Sequence, residues 1–165
     1  MKPCVIKQPA GIGDIFFCQK IARYMAHHGY QIIWPLKPEI AWIGDYIKGI
    51  LFCTTEEEFP MKDIYGMDYS DWAKYFIFER NLDKENDLYY NVLGLTDDSE
   101  FAFISNLYNT DIRDSKFISP EQFDLPVVEL QILDGFTLFD WCKVLEKAKK
   151  IHTVNTSINY IIDVL

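Results

Sequence analysis

The chain has 165 residues, 49% of them hydrophobic and 16% aromatic, and carries a net charge of −9. That length and apolar content suit one ordinary domain or two small lobes with a substantial core, and exclude a disordered tail. The acidic balance excludes a nucleic-acid duplex as the main partner, because phosphate binding needs a basic face, and disfavours an anionic membrane surface. A local pocket for a phosphorylated small molecule stays open, since backbone amides and a few cations suffice there.

Four cysteines (Cys4, Cys18, Cys53 and Cys142) are scattered without a C-x-x-C pair, which argues against a disulfide framework or a structural zinc site. The plain expectation is buried, reduced thiols in a cytoplasmic protein. Met1-Lys2-Pro3 leads directly into a strand-like segment without the cationic and apolar regions of a signal peptide. No run approaches the ~20 apolar residues that a bilayer span requires. The chain therefore reads as soluble and intracellular.

In chain order, Cys4-Val5-Ile6 is a short apolar strand, and Gln8 to Asp14 is a glycine-containing turn. The spacing of Ile15, Cys18, Ile21, Ala22 and Met25 predicts one face of a helix reaching His28, with Gly29 as its stop. Tyr30 to Pro35 is a second strand, Glu39 to Lys48 a short helix closed by Gly49, and Ile50 to Thr54 a third strand. Glu56-Glu57-Glu58 is a solvated loop. Strand, helix, strand, helix, strand at this spacing predicts a parallel sheet with helices on its faces. From Met61 to Glu79 the aromatics, with Asp71-Trp72 among them, are expected to pack under a loop in preference to lining a cleft. Asn81 to Leu93 reads as a capped helix with acids in its first turns, ended by Gly94.

A second α/β unit follows. Glu100 to Leu107 and Pro126 to Ile132 read as strands, and 106–126 has the most loop-like composition. Phe139, Cys142, Leu145 and Ala148 share one side of a helix predicted over Phe136 to Lys150. Its lysines suit the C-terminal end of the macrodipole without any ligand. Ile151 to Val154 is a last strand, and Asn155-Thr156-Ser157 leads into an apolar helical run from Ile158 to Leu165. That run ends abruptly, so a further C-terminal segment, a partner or a second copy of the chain is expected to cover it. His152 is expected as a buried or edge histidine and His27-His28 as a helix-end pair, neither with a metal role.

Two turns are positioned to carry chemistry. Gly11-x-Gly13-Asp14 follows the first strand and opens a helix, where free amides favour an anion. It is not a dinucleotide fingerprint: Phe16 replaces the third glycine, and Trp34-Pro35-Leu36 brings no acid for a ribose. No Gly-Lys-Ser/Thr follows, so it is not a P-loop either. A tight turn in which Asp14 caps the helix explains the same residues. Val154-Asn155-Thr156-Ser157 lies where α/β sheets bind ligands, and an N-cap explains it equally simply.

Together these turns resemble those of GT-B type glycosyltransferases, most closely the heptosyltransferase-like enzymes. Those proteins place a Gly-Asp turn after the first strand, as in Gly11-Ile12-Gly13-Asp14-Ile15. Late in the chain they place an apolar strand ending in Asp-Thr/Ser-Gly before a helix, where this chain runs from Ala148 to Ser157. Gly-x-Gly-Asp-x-Phe is also similar to the Gly-x-Gly-Asn turn of GT-B fucosyltransferases. The resemblance implies Rossmann-like parallel sheets with flanking helices in a reduced GT-B-like two-lobe arrangement. Residues 1–95 would form the acceptor lobe and 96–165 a small donor lobe.

It further implies Asp14 as general base, Gly11 and Gly13 on the acceptor, and Asn155, Thr156 and Ser157 on the donor diphosphate. The substrates would be a nucleotide-diphospho-sugar and a glycan or lipid-linked acceptor, with no cofactor and no metal. The chain departs from the pattern at three positions: Asn155 for Asp, Ser157 for Gly, and Tyr160 for a histidine. It is also shorter than two full lobes. These departures leave a miniature or truncated enzyme, a partner-dependent fragment or a non-catalytic nucleotide-sugar-binding module, and a separate alternative is an assembly protein whose acidic, aromatic surface docks on a partner.

Overall fold

The computed structural model describes residues 1–8, 11–55, 70–107, 117–154 and 156–165. The Glu56–Glu58 loop, the start of the aromatic stretch up to residue 69, most of the loop after residue 107, and Asn155 lie outside the described residues. The chain is mixed α/β, with two three-stranded parallel sheets and flanking helices. It divides into two compact units, Met1–Glu79 with Val164 and Arg80–Asp163 with Leu165.

In the first unit the sheet order is β1-β2-β3, formed by Lys2–Val5, Tyr30–Leu36 and Leu51–Thr54. Ile6 N–H still donates to Ile33 O at 2.9 Å, so pairing runs one residue past β1. Both crossovers run in the same direction, and right-handedness puts both connections on one face. Burial agrees with that: alternate residues Ile32, Trp34 and Leu36 of β2 are buried, while Val5 and Leu51 of the flanking strands stay exposed.

Helix α1 (Ile12–His27) begins three residues before the expected Ile15 and stops at the left-handed Gly29. Its buried residues are Ile15, Phe16, Cys18, Gln19 and Ala22, a stripe rotated away from Ile21 and Met25. The cause is a second neighbour. Phe16 stacks on Phe76 at 4.5 Å, Lys20 pairs with Asp71, and Arg23 donates to the carbonyls of Tyr75 (2.8 Å) and Ile77 (3.1 Å). In the described part of the aromatic stretch the rings are therefore packing, as expected. The predicted helix over Glu39–Lys48 is instead a 3-10 turn (Pro38–Ile40) and a single-turn α2 (Ile43–Tyr46). Ile47 ends it by turning extended to bury its side chain.

In the second unit Asn81 caps α3 (Leu82–Asn86) by accepting from Lys84 N–H at 3.2 Å. The helix then widens into a π-turn over Asp87–Val92, which buries Leu88 and Tyr89. Tyr89 OH donates to Thr96 O at 2.9 Å, and its ring meets Phe101. Arg80 grips buried Glu85 and also Glu146 of α4 (Cys142–Lys147). These contacts lie within the second unit, which begins at Arg80 and includes α3.

The second sheet has the order β5-β4-β6, with β4 (Ala102–Ser105) central, β5 (Val127–Glu129) on one side and β6 (Lys150–Thr153) on the other. Each residue of β4 is buried, as a central parallel strand covered on both faces should be. Phe103 meets Trp141 on one face, and Phe123 meets the exposed edge residue His152 on the other. The predicted Phe136–Lys150 helix shortens to a 3-10 turn (Leu138–Trp141) and α4. Asp140 is buried there because it completes a capping box with Thr137. The chain closes on α5 (Ile158–Ile162).

Cys18 and Cys142 are buried as expected, but Cys53 is exposed and Cys4 half-buried. No described helix is long and apolar enough to cross a membrane.

Candidate functional site

The turn after β1 brings Gly11, Gly13 and Asp14 together at the carboxyl end of a parallel sheet, the edge where α/β folds bind ligands. Gly11 is the N-cap of α1, with φ of 82°, and Ile15 N–H donates to its carbonyl at 3.0 Å. Gly13 and Asp14 are the second and third helical residues. Asp14 therefore does not occupy the cap, and α1 opens without any side-chain cap hydrogen bond. Its carboxyl instead folds back over the turn. A Cβ at Gly11 would meet Asp14 Oδ2 at 2.6 Å, so glycine there makes room for the carboxylate as well as for the backbone.

Asp14 is exposed as a residue, yet the turn shields its carboxyl, and that desolvation holds its pKa above the ordinary value. A helix N-terminus alone would act the other way, so desolvation dominates here. One turn along, burial and then the Asp14 charge push the Cys18 thiol up to about 11, which leaves it protonated and unreactive.

The late turn lies at the carboxyl end of β6 in the second unit. Because β5 and β6 flank β4 on opposite sides, the strand order reverses at β4, and β4/β6 is the switch point of that sheet. Val154 N–H donates to Ser105 O at 3.0 Å, and Thr153 Oγ1 donates to Asn159 Oδ1 at 2.6 Å, so the turn is tied to both sheet and helix. Thr156 and Ser157 are half-buried, and their carbonyls accept from Asn159 N–H and Tyr160 N–H. Ser157 stands at the N-cap position of α5 without a side-chain cap hydrogen bond. Asn155 lies outside the described residues.

The structure thus gathers Gly11, Gly13 and Asp14 on one turn, and Thr156 and Ser157 on another. Sequence reasoning passed over three neighbours. Trp34 is fully buried, and its Nε1 donates to Gln8 O at 2.8 Å; Gln8 Nε2 in turn lies 3.5 Å from Asp14 Oδ2. A tryptophan on an inward strand position was the available signal, since a buried indole N–H needs an acceptor. In the second unit, Asn106 at the end of β4 clamps Ile118 through its N–H (2.9 Å) and carbonyl (3.1 Å), and donates to Glu129 at 3.0 Å. Among the described residues, no group of three or more His, Cys, Asp or Glu side chains is arranged to hold a metal ion. No protein-family model, curated protein or solved structure matches this chain.

Proposed function

We propose that the chain is a glycosyltransferase of the GT-B kind, with Asp14 as general base toward a glycan or lipid-linked acceptor. The observation that carries this reading is the Asp14 carboxyl. It sits at the carboxyl end of a parallel sheet, is not spent on capping, and is made more basic by desolvation. In the proposed step the acceptor hydroxyl attacks the anomeric carbon of a nucleotide-diphospho-sugar. The new glycosidic C–O bond forms as the bond to the diphosphate oxygen breaks. The hydroxyl proton passes to Asp14, and the electron pair leaves with the nucleoside diphosphate. Thr156 and Ser157, with Asn155, are the residues assigned to that diphosphate, through hydroxyls and backbone amides. Gly11 and Gly13 admit the acceptor close to the backbone.

A second reading, a nucleotide-sugar-binding module without turnover, is favoured by Asn155 and Ser157 standing where the resembling enzymes have Asp and Gly. Thermal shift against nucleoside diphosphates and their sugars tests both readings. A ligand at a hundredfold excess over its Kd stabilises the fold by about 2.7 kcal/mol. No response to any of them at millimolar concentration refutes both. Asp14→Asn then separates them: the enzyme loses turnover and keeps donor binding, whereas the module has no turnover to lose.

A further inference from the structure

We infer that Gln8 is a positioning residue for Asp14: its side-chain amide holds one carboxylate oxygen and leaves the other to an incoming hydroxyl. The inference deepens the reading of Asp14 as a base and rests on it. Trp34, on the central strand of the first sheet, anchors the Gln8 carbonyl at 2.8 Å, which ties the turn after β1 to the buried middle of the sheet. From that fixed point Gln8 Nε2 reaches to 3.5 Å from Asp14 Oδ2, a long and weak hydrogen bond. The same oxygen lies over Gly11, in space that a Cβ would occupy. Oδ2 thus faces Gln8 and the space over Gly11, while Oδ1 accepts no hydrogen bond among the described residues.

A general base needs that asymmetry. One oxygen is held so that the carboxylate keeps its orientation, and the other presents its lone pairs to the proton. A weak neutral donor orients without draining basicity, whereas a charged donor at short range would favour the ionised form strongly. Cys18, one turn along α1, stays protonated to about 11, and Trp34, behind Gln8, does not ionise.

The test is an NMR titration of the Asp14 side-chain carboxyl in the full chain, in wild type, Gln8→Leu and Gln8→Glu. Gln8 is only half-buried, so both variants keep the fold. Gln8→Leu removes the donor, and the proton affinity of Asp14 rises about two- to threefold. Gln8→Glu sets a second carboxylate beside the first, and the rise is larger. With a working donor and acceptor, the acid limb of kcat/KM moves up with the titration while donor KM holds. Asp14 titrations that overlay wild type in both variants overturn the inference, whatever the chain transfers. Shifted titrations in a chain that transfers no sugar uphold the Gln8–Asp14 coupling and reject the assignment of Asp14 as a base.

Discussion

Gly11→Ala is the substitution whose cost the structure divides most cleanly. Two penalties meet at this position. The backbone φ of 82° is one that an L side chain rarely adopts, and the new Cβ would stand 2.6 Å from Asp14 Oδ2. The first costs about 1 kcal/mol. The second forces the Asp14 side chain out of its rotamer, for about another 1 kcal/mol. Gly29 supplies the control: its φ is 84°, but a Cβ there meets nothing within 4 Å. Gly29→Ala should therefore show the backbone cost alone, and Gly11→Ala about twice as much. In an Asp14→Ala background the steric part vanishes, so the cost of Gly11→Ala should fall to that of Gly29→Ala. Chemical denaturation followed by tryptophan fluorescence reads the four variants against wild type. If Gly11→Ala costs the same with and without the Asp14 carboxyl, the carboxylate does not sit over the turn, and the reasoning built on its placement fails.

Asp14→Asn should also change the pH dependence of stability. A carboxyl whose folded pKa is raised favours folding while it is protonated, and that contribution is lost as pH rises through the unfolded and then the folded value. The variant should therefore be at least as stable as wild type near neutrality, with the difference vanishing below the unfolded carboxylate range; a variant that is less stable only at neutral pH would contradict the desolvation. In the second unit, Arg80→Met leaves Glu85, 1% exposed, buried without its cation, and should cost about 3 kcal/mol in urea melts. Adding Glu85→Gln should recover much of that loss, and a double variant no better than the single one would show that the pair is not the source. Alkylation followed by mass spectrometry should label Cys53 rapidly in the folded chain. Cys18 and Cys142, buried with thiols pushed up to about 11 and 12, should label only on unfolding.

Much of the architecture was legible in the residues because its causes are local. Gly29 and Gly94 stop their helices at positive φ, and Asn81 caps α3, as their chemistry predicts. The parallel pairing followed from connections too long for hairpins. Element lengths were less legible. Ile47 and Ala148 turn extended because the fold needs them for burial and for the start of β6, and no periodicity in the Glu39–Lys48 or Phe136–Lys150 runs announces that. Of the candidate site, the motif residues Gly11, Gly13 and Asp14 could be picked out by type and spacing. The contact from Gln8 to the carboxyl, and the indole that holds Gln8, could not.

The sequence by itself determined an acidic α/β chain with two strand–turn–helix units and a Gly-x-Gly-Asp turn after the first strand. Periodicity, capping and glycine stops act within a few residues and can be read there. Only the tertiary structure decided that Gln19, Glu85 and Asp140 are buried, that α3 joins the second unit, and that β6 crosses to the far side of β4. Lys20–Asp71 and Arg80–Glu146 are partners 51 and 66 positions apart. Whether a polar side chain can be buried depends on partners brought up by the packing of distant segments, and no local pattern encodes them.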